Sequence, residues 1–184
     1  YEPPSEGRVL IDGEPVVFAG SRAAEAKGIV LIHQEFNLAD DLTIAGNIFL
    51  GHERRKGWLL DEEAMRREAE AALAQVGLAR TPDTPVRRLI IAEQQLVEIA
   101  KALSRKTRLL IMDEPTATLT PSEAGRLFAL IERMRAEGIT VVYISHKLDE
   151  VERITDDVIV MRDGRFVGRA ATASLTRHAM ATMM

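Results

Sequence analysis

The sequence contains no cysteine among its 184 residues. Disulfide frameworks and thiolate metal sites are therefore excluded, and the composition fits a reducing compartment without proving one. The four histidines stand at positions 33, 52, 146 and 178, which is too scattered for their spacing to indicate a metal cluster.

Basic residues and long apolar runs are scarce as well. Lys and Arg number 24 against 28 Asp and Glu, and the net charge of −4 shows no surplus of the kind that nucleic-acid-binding proteins use to neutralise phosphates. We therefore expect no nucleic-acid partner. Apolar runs such as residues 109–112 and 141–144 are far shorter than the roughly 20 residues of a membrane-spanning helix. With 46% apolar and 28% charged residues, the chain has the composition of a folded domain.

The sequence begins at Tyr1, without an initiator Met or a positively charged, apolar leader of the secretory kind. We therefore expect that it starts inside a longer protein. None of its 12 glycines is followed by lysine, so it also lacks the Gly-Lys-Ser/Thr element of a phosphate-binding loop.

Turn signals and hydrophobic periodicity predict an alternation of strands and helices. Asp-Gly pairs at residues 12–13 and 163–164 each lie between short β-branched runs, which is the pattern of a hairpin. Apolar runs predict buried strands at residues 28–34, 108–113 and 140–145. Caps and helical spacing predict helices at residues 61–77, 96–103 and 121–138 and from about residue 176, whereas residues 39–57 are expected to be loop.

This alternation predicts an α/β fold with a mostly parallel sheet, in which ligands bind at the carboxyl ends of the strands. We expect three parts along the chain. Residues 1–57 would hold a small antiparallel β piece and the loop with Gln34, residues 58–105 a mainly helical part, and residues 106–184 the remaining strands with a C-terminal hairpin.

Two adjacent carboxylates, Asp113 and Glu114, directly follow the apolar run at residues 109–112. Buried carboxylates are costly unless they are paired or bind a cation, so their place at the end of a core strand requires a partner. A divalent cation supplies one: Asp113 would support Mg²⁺ through water, and Glu114 would polarise a water that attacks a phosphate. The alternative is a strand that ends in a solvated Asp-Glu turn.

Two further polar residues follow predicted strands. His146 comes after the run at residues 141–144 and would emerge at the same sheet edge as Glu114, where a histidine can donate to a terminal phosphate. Gln34 carries an amide that can accept from metal-bound water and donate to a phosphate. Taken singly, each has a structural alternative: a satisfied hydrogen bond for His146 and an ordinary surface position for Gln34.

In their order, Gln34, residues 88–103, residues 113–116 and His146 resemble the motifs of the ATP-binding subunits of ABC transporters. The resemblance covers essentially the whole chain and implies a P-loop NTPase fold of the ABC ATPase type. It is strongest to the first nucleotide-binding half of the duplicated ATPases of bacterial ribose, galactose and xylose importers. The segments that carry this subgroup resemblance are residues 33–38, 42–51, 97–101 and 143–147.

The resemblance implies a role for each motif residue, with ATP and Mg²⁺ as cofactors. Glu114 would be the general base and His146 the switch histidine at the γ-phosphate. Asp113, the Walker B residue, would hold Mg²⁺ together with Gln34, the Q-loop glutamine that links the nucleotide to a membrane partner. The signature segment, which closes over ATP held by the opposite nucleotide-binding domain, would comprise Leu89, Ile90, Ile91, Ala92, Glu93 and Gln94.

The resemblance further implies that the parent protein is an ATPase that powers carbohydrate import. Its partners would be a second nucleotide-binding domain in the same chain or a homodimer, the transmembrane permease and, indirectly, a sugar-binding protein. Residues 58–105 and the Q-loop would contact the permease, which places the protein peripherally at the cytoplasmic face of the bacterial membrane. The alternatives are an ABC-type ATPase that acts on ribosomes or DNA, and a non-hydrolysing regulatory remnant.

Three departures from the family pattern concern activity. The family places its P-loop ahead of the position of Tyr1, so we expect the chain by itself to be inactive, with apolar faces of its sheet exposed. Thr120 stands where many relatives have Asp; it can still cap a helix but carries no charge. Ile90 and Ile91 replace the Ser and Gly of the usual signature, so one residue lacks a hydroxyl and the other hinders close backbone approach.

We therefore expect slow hydrolysis at the composite ATP site that this segment completes. An Ile90→Ser substitution in the complete duplicated protein should raise the steady-state ATPase rate, because it supplies a hydroxyl that can donate to the γ-phosphate. An unchanged rate would count against this explanation.

Overall fold

The computed structural model describes residues 4–183. Seven α-helices and nine strands lie within these residues, with single 3₁₀ turns at Val86–Arg88 and Thr172–Ser174. In chain order the elements are β1 (Val9–Ile11), β2 (Glu14–Val16), α1 (Ser21–Ala26), β3 (Ile29–Ile32), α2 (Ile44–Phe49), β4 (Arg55–Lys56), β5 (Leu59–Leu60), α3 (Glu62–Val76), α4 (Ile91–Leu103), β6 (Leu109–Asp113), α5 (Pro121–Ala136), β7 (Thr140–Ile144), α6 (Leu148–Ile154), β8 (Asp157–Arg162), β9 (Arg165–Ala171) and α7 (Arg177–Met183).

Strands β3, β6 and β7 form a parallel sheet with β6 in the centre. This confirms the predicted parallel sheet, and the antiparallel pairs β1–β2 and β8–β9 confirm both predicted hairpins. The register pairs Ile32 with Met112 and Asp113 with Ile144. Since the strands are parallel and in register, the polar residues that follow each of them lie at one edge of the sheet.

The two faces of this sheet differ in burial. Val30, Leu110 and Met112 are at most 6% exposed and belong to the main core, which also includes side chains of α4 and α5. On the other face, Leu31 is 44% and Val142 43% exposed. The prediction that β3 and β7 are buried strands was therefore wrong for one face. Successive side chains of a strand point to opposite sides, and among the described residues this second face stays open.

Helix α3 forms as its sequence predicts. The Asp61 side chain accepts from the amide of Ala64 at 3.0 Å, and Gly77 ends the helix in the left-handed region with φ of +73°. The predicted stripe faces inward, with Ala69 and Leu73 almost fully buried. Helix α4 packs beside it, and its polar residues Gln95 and Glu98 are buried along with the apolar ones.

The prediction of loop for residues 39–57 was wrong, because helix α2 lies inside this segment. Thr43 caps the helix, its hydroxyl accepting from the amide of Gly46 at 3.1 Å, and Ile44 and Ile48 are buried. Gly46 and Asn47 argue against a helix by propensity, but contacts with α3 and α4 stabilise it. The hairpin β4–β5 also lay outside the predictions, and the predicted boundary between residues 57 and 58 falls in its turn.

The second half of the chain follows the predictions except at helix α6, which the sequence analysis did not predict. Thr120 and Glu123 form a reciprocal capping box at the start of α5, with Pro121 in the first helical position. Leu127 and Ile131 of α5 are 2% exposed and pack in the core. The terminal helix α7 begins one residue beyond the predicted start at about residue 176.

Buried Asn47 is expected to be important for stability. Its Oδ1 accepts from the amide of Ala39 at 2.7 Å, and its Nδ2 donates to the carbonyls of Ala39 and Thr43 at 3.0 and 3.1 Å. Asn47→Ala removes these side-chain bonds and leaves the partly buried amide of Ala39 without its acceptor, so the free energy of unfolding should fall by about 2 kcal/mol. Urea denaturation would measure the loss, with the exposed Asn37→Ala as the matched control. Equal stability of the two variants would contradict this role.

Candidate functional site

The carboxyl edge of the parallel sheet brings Glu114 and His146 together. The amide of Glu114 donates to the carbonyl of Ile144 at 2.9 Å, which joins the ends of β6 and β7. His146 Nδ1 then lies 2.8 Å from Glu114 Oε1. Parallel pairing predicted that both residues emerge at one edge, which the structure confirms; the hydrogen-bond contact between them was not predicted.

Both side chains of this pair remain accessible to a ligand. The Glu114 side chain is 30% and the His146 side chain 64% exposed. Glu114 also has a φ of +46°, a left-handed conformation that side-chain-bearing residues rarely adopt. Strained backbone of this kind is frequent where a side chain must be aimed at a site.

Asp113 directly precedes Glu114, and Gln34 follows the neighbouring strand β3. Asp113 is the last residue of β6 and is partly buried, so its carboxylate sits at the sheet edge rather than in the core. Gln34 is exposed and follows β3. The pairing of β3 with β6 ends at Ile32 and Met112, so Gln34 lies two residues beyond the paired part of β3.

Within residues 4–183, no group of three or more His, Cys, Asp or Glu side chains is arranged to hold a metal ion. The residues at the sheet edge still fit Mg²⁺, because that ion is commonly held by one or two carboxylates together with substrate phosphates and water. Asp113 would provide such a carboxylate, and the predicted contribution of the Gln34 amide oxygen stays a prediction.

A buried carboxylate behind this edge lay outside the sequence predictions. Glu150, on α6, is 6% exposed. Its carboxylate accepts hydrogen bonds from the hydroxyls of Thr116 (2.7 and 2.8 Å), Tyr143 (2.6 Å) and Ser145 (3.3 Å), and Lys147 Nζ lies 3.3 Å away. Burial, and then the hydrogen bond to Glu150, raise the pKa of the Tyr143 phenol above its ordinary value. Glu150 stands four residues before the buried Ile154, a spacing that places both on one face of a helix. This spacing was the signal in the sequence that Glu150 is buried.

The predicted signature segment, Leu89 to Gln94, lies at the start of α4. Leu89 is buried, whereas Ile90 and Ile91 are 60% and 48% exposed. Ile90 has no side-chain acceptor, and its own amide donates to the carboxylate of Glu93 at 3.1 Å. Glu93 is also fixed by Arg80, whose Nε lies 2.8 Å from its Oε1. The segment thus presents two bulky apolar side chains on a helix start held in place by an ion pair.

Comparison with known proteins identifies the family. The sequence pattern described as ABC transporter matches residues 1–117, well over half of the chain. This chain belongs to the ABC transporter family. The parallel sheet with antiparallel pieces and helices agrees with the ABC ATPase fold of its structural neighbours.

Relatives of this ABC transporter domain include ATP-binding proteins of sugar importers. The ribose import ATP-binding protein RbsA of Rhodopirellula baltica is 48% identical over 100% of this chain and 36% of its own length. A putative ribose/galactose/methyl galactoside import ATP-binding protein of Burkholderia cenocepacia is 48% identical over 97% of this chain and 35% of its own length. The chain therefore spans about a third of the length of these relatives.

Solved structures show the same fold. A nucleotide-free ATP-binding cassette from an ABC transporter superposes with a TM-score of 0.79 and 26% identity, covering 91% of this chain and 70% of that one. The cbiO1 protein of Clostridium perfringens, part of the ABC transporter complex cbiONQ, gives a TM-score of 0.77 and 28% identity over 92% of this chain and 67% of that one. Among residues 4–183 of this ABC transporter domain, no helix combines the length and apolar character needed to span a membrane.

The buried Tyr143 phenol predicts a change of stability at alkaline pH. Its pKa is raised in the folded chain, so its contribution to stability is complete below about pH 10 and declines as the pH rises towards the folded value. Between about pH 9 and about pH 11 the free energy of unfolding of the parent should therefore fall more than that of Tyr143→Phe. Urea titrations at both pH values would measure this, and equal losses would contradict the prediction.

Proposed function

We propose that this chain is the catalytic part of a nucleotide-binding domain in an ATPase that powers carbohydrate import. The observation that carries the proposal is the contact of Glu114 with His146 beside Asp113 at the carboxyl edge of the sheet. Relatives named as ribose and ribose/galactose import ATP-binding proteins, 48% identical across the chain, support the sugar-import class. Since the chain spans about a third of those relatives, the proposal concerns a whole protein that also contains a Gly-Lys-Ser/Thr loop.

Glu114 acts in this proposal as the general base. Among the described residues only its Oε1 has a hydrogen-bond partner, so Oε2 is available to accept a proton from the attacking water. A carboxylate offers about four lone-pair sites, so the contact with His146 and a bond from water are compatible. The hydrogen bond from the Glu114 amide to the carbonyl of Ile144 fixes the backbone that carries this side chain.

His146 has the complementary part. A carboxylate can only accept, so Nδ1 carries the hydrogen in the contact with Glu114. Nε2 is then the atom that faces a ligand, and a protonated ring can donate from it to the γ-phosphate while Nδ1 still donates to Glu114. This arrangement places positive charge where the negative charge of the transferred phosphoryl group increases.

Asp113 and Gln34 would hold Mg²⁺, which supplies charge neutralisation for the phosphate oxygens when it is bound. The signature segment, Leu89 to Gln94, which exposes Ile90 and Ile91, would contact ATP held by a second nucleotide-binding domain, in the same chain or in a homodimer. The loop of Gln34 and residues 58–105 would contact the transmembrane permease and, through it, a sugar-binding protein. The protein would then work peripherally, at the cytoplasmic face of the membrane.

Removing the base in the whole protein tests the catalytic assignment. Glu114→Gln keeps the size of the side chain but cannot take a proton, so we expect ATP hydrolysis to fall roughly 100- to 10,000-fold while Mg-ATP still binds. Phosphate release and equilibrium binding measure the two effects. Glu137→Gln, at the exposed end of α5, is the matched control and should leave both unchanged.

The transport assignment is tested with the whole protein assembled with its permease and sugar-binding protein in vesicles. ATP-dependent uptake of labelled ribose or galactose should occur with the parent and stop with Glu114→Gln. Hydrolysis that ribosomes or DNA stimulate, without uptake of either sugar, would overturn the import proposal in favour of a non-transport ATPase. A Glu114→Gln variant that hydrolyses ATP at the parental rate would overturn the role of the base.

A further inference from the structure

We propose that Glu150 is a positioning residue for Glu114 and His146, the catalytic pair at the carboxyl edge of the sheet. Its buried carboxylate joins the turn that follows Glu114 to the loop that carries His146, and so holds the two side chains in contact. The inference rests on the proposed function for the roles of Glu114 and His146. We call the contacts of Glu150 with Thr116, Ser145 and Lys147 the clamp, and all of them are contacts among residues of this chain.

The partners of Glu150 come from the segment after Glu114 and from the two residues next to His146. Thr116 stands two positions after Glu114, and its hydroxyl lies 2.8 and 2.7 Å from the two oxygens of Glu150. Ser145 directly precedes His146 and donates to Glu150 at 3.3 Å, and Lys147 directly follows His146 and forms an ion pair at 3.3 Å. One carboxylate therefore binds both chain neighbours of His146 and a residue two positions after Glu114.

Further hydrogen bonds make each of the two segments rigid. The amide of Ala117 donates to the carbonyl of Glu114 at 3.1 Å, which closes the turn after the base. Lys147 Nζ donates to the carbonyl of Thr116 at 3.1 Å, and the Lys147 amide donates to the Ser145 hydroxyl at 3.0 Å. Movement of either segment would break several of these bonds at once.

A carboxylate is the group that this cluster requires. Glu150 accepts from three hydroxyls and faces a cationic amine, and only an ionised carboxylate offers enough lone pairs together with a negative charge. An amide of the same size has one acceptor oxygen and would direct its NH₂ at donors. Because Glu150 is 6% exposed, such mismatches would be desolvated and costly.

The catalytic pair needs this support because it lies at the surface. With side-chain exposures of 30% and 64%, the contact of Glu114 with His146 contributes little by itself against the freedom of the two side chains. Its 2.8 Å separation must therefore be set by the backbones that carry it. The Glu150 cluster connects those backbones from the protected side of the sheet edge.

Substitutions at Thr116 test the clamp in the whole ATPase. Thr116→Val removes the hydroxyl at nearly constant shape, and Glu150→Gln removes the charge. We expect kcat to fall at least about tenfold in both, with KM for Mg-ATP changed less than about twofold. Thr116→Ser keeps the hydroxyl and should restore most of kcat, a rescue that a loss of packing alone would not give.

The matched control is Thr107→Val. Thr107 is also buried and its hydroxyl also donates within the chain, to the carbonyl of Ala102, but it lies before β6, at the opposite end of the sheet. This variant should keep the parental kcat. If Thr116→Val and Glu150→Gln lower kcat no more than Thr107→Val does, the positioning role is overturned.

Amide hydrogen exchange of the same whole proteins gives a readout that does not depend on ATP. Exchange at Ala117 and Lys147 should be faster in Thr116→Val than in the parent, and unchanged in Thr107→Val. Unchanged exchange at both amides in Thr116→Val would overturn the clamp even if kcat falls. If the parent does not hydrolyse ATP, but exchange at Ala117 and Lys147 is still faster in Thr116→Val than in the parent, the proposed function is refuted. The positioning role of Glu150 then stands. Should Glu150→Gln fail to fold, the Thr116 series decides the question.

Discussion

The parallel, in-register pairing of β3, β6 and β7 is the constraint on which the site depends. Gln34, Asp113 and His146, which are far apart in sequence, lie at one edge because each is at or just beyond the carboxyl end of one of these parallel strands. The backbone bond from Glu114 to Ile144 then continues the pairing past the last residue of β6. Chemistry at this edge is possible because the ladder of hydrogen bonds, rather than the exposed side chains, sets the distances between them.

Buried polar side chains hold irregular segments of the chain in place. Glu150 and Asn47 are both desolvated, and both bind partners from segments without regular secondary structure. Each buried polar group is stabilising only while all its partners are in place, so such clusters allow one arrangement and exclude others nearby. The accessible side chains of the site are thereby held by inaccessible ones.

The apolar surfaces that remain open lie away from this support. One face of the sheet exposes Leu31 and Val142, and the start of α4 exposes Ile90 and Ile91. The open sheet face agrees with the expectation that apolar parts of the sheet would be exposed in this chain. At the proposed signature segment, Ile90 and Ile91 are exposed on a helix start that the ion pair of Glu93 with Arg80 fixes, and they offer a contact surface poor in hydrogen-bond donors.

Patterns of short range determined much of this protein. The Asp-Gly hairpins, the cap of α3 at Asp61, the capping box at Thr120 and the polar residues after apolar strands were all predictable, because each depends on a few neighbouring residues. Helix α2, the open face of the sheet and the Glu150 cluster depended on contacts between distant segments. Gly46 and Asn47 resemble loop residues until α3 and α4 pack against them, and Glu150 resembles a surface carboxylate until Thr116 and Tyr143 reach it. Local propensity is weak beside burial, so such features are decided only when the tertiary structure brings their partners together.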